Sequence, residues 1–450
     1  VAHGLVGVLA NGTKQGQERA TQLIKALVLN EANRQAIGRA GAVPELVKQL
    51  ESGSTKCMAD AASALVSIAS ESLHNRPVTN ALVMMLGSTR EAVRQEASEA
   101  LRILSTDAKK EHHITATRVS APQIVELVKL LVEGLQDGRV EAQEYALRSL
   151  ASITDSASRE TIATSGCIAP SIVSLNTGLL SATAEEHAAT VLAGLSPIET
   201  NAIEIKETGV EVLVQLLTRG NHEAKKQSAI TLAQLARHAA AGSEIAEVGG
   251  ASILVTWLTD STLGPPEVGA AALSAIAHIN LDTQTSIVEE GAIPSLVQKI
   301  REWSTANAQS MTLTTRTTSV GIAHRMAIVA AGTLATLSKD NMMNQLIVME
   351  EDGIPPLLDL VRDVYDQSSH ENATKALWHL AQAEENQNAI PRAGGVSPLV
   401  TLLTKGIEIT QQYTAAALEA LARNHPDNQL ALARAGAINP LVDLLGVKSL

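Results

Sequence analysis

The chain has 450 residues and a formal net charge of −12, from 47 acidic and 35 basic side chains. It holds three Trp, three Tyr, no Phe and two cysteines. That balance repels phosphate backbones and offers few aromatic platforms for bases, so no nucleic acid is expected as partner. Two cysteines, Cys57 and Cys167, are too few for a disulfide framework or a thiolate zinc site and point to a reducing, cytoplasmic setting, with the nucleus as the alternative.

In chain order, residues 1–10 read as an apolar helix. The first full copy of a recurring phrase follows: Asn33-Arg34-Gln35-Ala36-Ile37-Gly38-Arg39-Ala40-Gly41-Ala42-Val43-Pro44-Glu45-Leu46-Val47. It predicts a short helix closed at Gly41, where φ can turn positive, then a second helix with Pro44 in its first turn. Looser copies lie near 76–86 and 119–131. Between them a longer third helix is predicted over 91–105, with Ala97, Leu101 and Leu104 on one buried stripe. A charged link at 107–118 then replaces a regular short helix. Long third helices are predicted again at 141–153, 223–236 and 411–422, rich in Ala as at Ala415-Ala416-Ala417.

Turn glycines recur at Gly166, Gly209, Gly249, Gly291 and Gly353, and in full phrases at 386–400 and 428–442 with Gly394 and Gly436. Prolines follow at Pro294, Pro355-Pro356, Pro398 and Pro440. From Gly41 onward the glycines are spaced by 125, 43, 40, 42, 62, 41 and 42 residues. A period of this size marks stacked supersecondary units, each burying its apolar side on its neighbours. The 62-residue gap is one period plus an insertion at 302–323, rich in Thr, Ser, Asn and Gln. The insertion is expected to be a surface loop, with a regulatory segment able to lie in a groove as the alternative. Residues 440–446 read as a second helix without a third. With both ends cut mid-unit, the chain reads as a segment of a longer protein.

No phosphate-binding loop, paired-His metalloprotease helix, nucleophile elbow or Cys-x-x-Cys pair is present. His112-His113 lies in the link without a third ligand at usable spacing. His187 sits on a third helix, where a solvated or groove-lining role is expected. Glu289-Glu290 and Glu350-Glu351-Asp352 are adjacent carboxylates that do not face one another as an acid–base pair would. No catalysis, cofactor or metal is expected, and the sequence shows no run of eighteen apolar residues to serve as a transmembrane segment.

Short helix, Gly-Ala-Ile/Val-Pro turn, Leu-Val-x-Leu-Leu helix and Ala-rich third helix together resemble the armadillo repeat. The resemblance is best at 33–50, 283–300, 386–403 and 428–445 and closest in phrasing to the plant, fungal and protist scaffolds of the yeast vacuolar type. It implies an all-α, right-handed α-solenoid, a superhelix of about nine complete repeats in one array. Residues 1–32 would be a partial repeat, 33–427 the nine repeats with their insertion, and 428–450 a second partial repeat. Two-helix HEAT repeats are the alternative.

In that family the third helices line a concave groove that binds extended protein segments, so the resemblance implies a non-catalytic scaffold or adaptor. The importin-α-like ladder of Trp and Asn is nearly absent: Trp378 occupies a Trp position, but Gln382 replaces its Asn. Other units carry Arg102/Thr106, Arg148/Ser152, Thr190/Gly194, Ile230/Gln234, Ser274/His278, Gly332/Thr336 and Glu419/Arg423. Arg94, Arg102 and Arg148 form a thin basic cluster suited to partner carboxylates. The candidate groove residues are therefore Arg94, Arg102, Thr106, Arg148, Ser152, Gln234, His278, Trp378, Gln382, Glu419 and Arg423. A nuclear transport adaptor, or the targeting arm of a larger enzyme such as a ubiquitin ligase, are the alternatives; oligomeric state is not readable.

Overall fold

The computed structural model describes residues 2–69, 140–152, 159–278, 280–310, 318–363 and 366–444, with isolated positions between 78 and 132. Every regular element among them is a helix. The link at 107–118 lies outside the described residues, and the helix expected over 91–105 is described only at isolated positions. The chain divides into two compact units, Val1–Val212 and Leu213–Leu450.

The first unit opens with α1 (Ala2–Asn11), α2 (Lys14–Leu27), α3 (Glu31–Arg39), α4 (Ala42–Ser52) and α5 (Thr55–Ala69). Polar caps start two of these helices: Thr13 accepts from the Gly16 amide, and Asn30 from the Asn33 amide, satisfying donors that a helix start leaves unpaired. Gly41 takes φ 83°, turning the chain from α3 into α4 as its sequence requires. Third helix packs on third helix, α2 on α5, and second on second, α1 on α4. The α2–α5 seam carries one buried charge, Asp60, paired with Lys25 at 2.7 Å. Beyond the isolated positions come α6 (Val140–Ser152), α7 (Arg159–Thr164), α8 (Ile168–Asn176) and α9 (Ala182–Leu195), with α6 packed on α9.

Then α10 (Glu199–Arg219) overturns an expectation: it runs unbroken through Gly209, where a turn was predicted. The physical reason lies in the next residue. Wherever the turn forms at a glycine, a small residue follows: Ala42, Cys167, Gly250, Ala292, Gly395 or Ala437. That position is tight, for a Cβ on Gly250 or Gly395 would sit 2.7–2.8 Å from the Ile245 or Ile390 side chain. Val210 is too bulky for it, so the helix continues. Gly209 instead lets Ile172 of α8 approach, 3.2 Å from where its Cβ would be.

The second unit repeats one pattern. Its third helices are α11 (His222–Ala239), then, after α12 (Gly242–Glu247) and α13 (Gly250–Thr259), α14 (Pro266–Ala277). Next come α15 (Leu281–Glu289), α16 (Ala292–Ser310), α17 (Thr318–Ser338), α18 (Met342–Glu350), α19 (Ile354–Arg362) and α20 (Gln367–Leu380). The series closes with α21 (Glu384–Arg392), α22 (Val396–Lys405), α23 (Glu408–Ala422), α24 (Pro426–Arg434) and α25 (Ile438–Leu444). Third helices α11, α14, α17, α20 and α23 pack in sequence as one layer, and second helices α13, α16, α19, α22 and α25 as another. Leu, Ile, Val and Ala fill the space between, joined by the buried Trp257 and Trp303. At the turn into α19 the positive φ falls on Asp352 (56°), one residue before the predicted Gly353, which takes the tight position instead.

First helices are pinned by a dipeptide that recurs in the phrase. Asn344, Asn386 and Asn428 are buried and donate to the Leu337, Leu380 and Leu421 carbonyls at 2.7–2.9 Å, ending the preceding third helix. Asn386 and Asn428 also donate to Gln345 and Gln387 carbonyls of the preceding first helix, at 3.0 and 2.8 Å. The adjacent Gln345, Gln387 and Gln429 donate to the carbonyls of Ser338, Ala381 and Ala422. Carbonyls at a helix end have no intrahelical partner, so the dipeptide satisfies them and fixes the stacking distance together.

The insertion is not a loop over its expected span. Residues 302–310 extend α16, and 318–323 open α17; 311–317 lie outside the described residues. The two long helices pack on each other. Trp303 stacks on His324 with ring centroids 5.2 Å apart, His324 Nε2 meets the buried Asp363 carboxylate at 2.6 Å, and Ser304 donates to Asp359. The stretch 320–338 is long and apolar enough to cross a membrane by length and composition, although Arg325 interrupts it; 61% of it is buried, in a helix packed between α14, α16 and α20.

Candidate functional site

Of the candidate groove residues, Arg94, Arg102 and Thr106 lie outside the described residues. In the first unit, Arg148 is half-buried on α6, and Ser152 ends that helix, its side chain outside the description. Burial, and then the Arg148 charge, hold the neighbouring His187 imidazole below its ordinary value, so it is neutral at pH 7.

The second unit gathers the rest on its third helices. Gln234 on α11 is half-buried, and His278, just past α14, is exposed. Their row is linked to α17 by a hydroxyl pair, Ser274 and Thr336, at 2.9 Å. Further along, Trp378 on α20 and Gln382, in the turn just past it, meet Glu419 and Arg423 at the end of α23. Arg423 pairs bidentately with Glu419, with contacts at 2.9 and 3.2 Å, and reaches Gln382 Oε1 at 3.5 Å. Gln382 donates back to the Trp378 carbonyl.

Trp378 is half-buried. Its indole stacks on Tyr413 of α23, centroids 5.8 Å apart and planes at 25°. The Lys375 ammonium stands 5.8 Å from the Tyr413 ring centre, within cation–π range. Beneath, His379 is buried, and burial followed by the Lys375 charge pushes its imidazole down to about 4. It is therefore neutral at pH 7 and serves as packing for the indole. Sequence reasoning missed Tyr413, whose signal is its place on the third helix that follows Trp378.

The arrangement offers flat apolar rings, one cation, one amide and one preformed ion pair in a row. It holds no nucleophile–base pair. Among the described residues, no three His, Cys, Asp or Glu side chains are grouped to hold a metal.

Residues 30–70 match the armadillo/β-catenin-like repeat. The crystal structure of an engineered protein is 26% identical and matches with a TM-score of 0.72, over 93% of this chain and 98% of that one. A chain solved in work on a phosphorylation switch controlling the interaction between cadherin and β-catenin also matches. It is 16% identical, with a TM-score of 0.72 over 100% of this chain and 88% of that one. This is an armadillo-repeat fold. Three helices per period set it apart from the two-helix HEAT alternative. No curated protein matches the chain. Armadillo folds are typically non-catalytic scaffolds for protein–protein interaction.

Proposed function

We propose that the chain is a protein-interaction scaffold without catalysis of its own, holding an extended partner segment against α20 and α23. The observation that carries this reading is the half-exposed Trp378–Tyr413 stack, flanked by Lys375, Gln382 and the Arg423–Glu419 pair. Aromatic and arginine side chains at such a centre dominate binding energy in protein interfaces. Exposed amide and charged groups beside the stack suit the backbone and side chains of an extended segment. An importin-like reading of lysine-rich signals is less well supported. Trp378 lies against Tyr413 instead of standing as one wall of a repeated slot, and Gln382 turns back to the Trp378 carbonyl.

The setting we propose is cytoplasmic, with protein partners. Cys57 and Cys167 are buried free thiols, both pushed up by burial, Cys167 to about 12. A random peptide library displayed against the intact chain tests the assignment. Selected peptides should lose roughly tenfold or more in affinity for the Trp378→Ala/Tyr413→Ala variant, since hot-spot truncation costs about 2 kcal/mol. Unchanged affinity for that variant would refute the site. A lysine-rich peptide bound as tightly as the selected ones would favour the transport reading instead.

A further inference from the structure

One first helix of the second unit differs from its neighbours on the face it turns outward. Positions that are Asp282, Thr285 and Ser286 on α15, and Glu385, Asn388 and Ala389 on α21, are Met343, Leu346 and Ile347 on α18. The alignment is fixed by the buried residues beneath: Thr283, Asn344 and Asn386, then Ile287, Val348 and Ile390. Met342 and Met343 are 62% and 67% exposed, and Leu346, Ile347 and Met349 are half-buried. Met342, Leu346 and Met349 thus form an i, i+4, i+7 stripe, the spacing at which one helix anchors another. Beside it α15 presents the exposed Leu281, Thr285 and the half-buried Val288, and α21 presents Glu384, Asn388 and Pro391. Isolated exposed apolar residues are ordinary, but a helix-long stripe of leucine and methionine side chains is the kind of patch that marks interaction surfaces.

Charge says what would cover it. Over 281–290, 342–352 and 384–392, the three first helices and the turn after α18, there are eight carboxylates and one arginine. The helices on both sides of α18 are its structural neighbours: α18 packs on α21, and Asn341 at its start donates to Gln284 of α15 at 3.2 Å. Glu290 is partly engaged by Ser252, and Lys339 stands just before α18; the rim nevertheless remains strongly acidic. We propose that the outward face of α18 docks an amphipathic helix of a partner protein, apolar on one side and lysine- or arginine-bearing on its flanks. Its apolar side would cover the methionine stripe, while its flanking cations meet Asp282 on one side and Glu384 and Glu385 on the other. This surface is made of first helices and is independent of the third-helix site.

The test uses the intact chain with methyl-labelled methionine and two synthetic helical peptides, one of leucine and lysine, the other its leucine and glutamate counterpart. The leucine–lysine peptide should shift the Met342, Met343 and Met349 methyl signals saturably and leave the buried Met58 and Met326 unmoved. Met342→Ser/Met343→Ser, at exposed positions that keep the thermal midpoint, should weaken binding about tenfold, in line with the apolar area lost. Glu384→Gln/Glu385→Gln should weaken it too and reduce its salt dependence. Trp378→Ala/Tyr413→Ala should leave it unchanged. The proposal is overturned by equal binding of the glutamate peptide, by full affinity in the methionine variant, or by no saturable shift at all. It is overturned equally by methyl shifts that grow with protein concentration alone, which would make the occupant a second copy of the chain.

Discussion

Two regions of the second unit obey opposite rules. Beneath the first helices, the Asn–Gln dipeptide at 344–345, 386–387 and 428–429 recurs with nearly the same bonds each time. At or just past the ends of the third helices, one position per repeat changes at every step, from His278 to Thr336, Gln382 and Arg423. The buried groups answer to backbone carbonyls, which the fold repeats identically. The variable groups bond to side chains and carbonyls close by on the same surface, such as Ser274, Trp378 and Glu419, and the pairing changes from repeat to repeat. Substitutions in the first region should therefore cost stability, and substitutions in the second should cost binding.

The sharpest way to break this contrast is Asn386→Leu. It removes the side-chain donor shared by the Gln345 and Leu380 carbonyls, the latter keeping only the Ala383 amide at 3.2 Å. It also puts a bulkier apolar group in a buried polar slot, so it should cost about 2 kcal/mol in urea unfolding. A loss no larger than that of a surface substitution would mean the dipeptide does not hold the stack. Gly395→Val probes the tight turn that Val210 prevents in α10. A Cβ there would meet Ile390 at 2.8 Å, so a loss of about 2 kcal/mol is expected from overpacking. An unchanged unfolding midpoint would remove that explanation of the unbroken helix.

A smaller effect is read from pH. His379 has its folded value pushed from 6.5 down to about 4, so between those values the unfolded chain binds more protons than the folded one. Its contribution is fully present above pH 6.5 and is lost as pH falls toward 4. His379→Gln should flatten that part of the stability profile, and a profile of unchanged slope would contradict the burial of a neutral imidazole. Smallest of all, Arg423→Ala should change stability by about 0.5 kcal/mol or less, since its ion pair with Glu419 is exposed. The same variant should weaken selected peptides measurably; a reversed outcome, with stability lost and binding kept, would invert the comparison.

Much of the architecture is legible in the sequence because its signals are local. Gly41, Gly291, Gly394 and Gly436 mark turns through their own backbone freedom, and Pro44, Pro294 and Pro398 mark helix starts. What failed depended on distant contacts. Gly209 carries a turn residue's freedom, but Val210 cannot fit the space beside it. The insertion has a loop's composition, yet Trp303 and Ser304 find His324, Asp363 and Asp359 to pack and bond with. Asn386 and Gln387 stood out only as part of a phrase, since their carbonyl partners lie on other helices. Of the proposed site, Trp378, Gln382, Glu419 and Arg423 were named from the register of the third helices, while Tyr413 enters only through its stack on Trp378.

Amide hydrogen exchange on the intact chain, with and without the strongest selected peptide, tests the central claim most directly. The account predicts slowed exchange at the ends of α20 and α23, around Gln382 and Arg423, with the buried first-helix amides unchanged. Protection elsewhere with these ends unaffected, at a peptide concentration that saturates the chain, would contradict it.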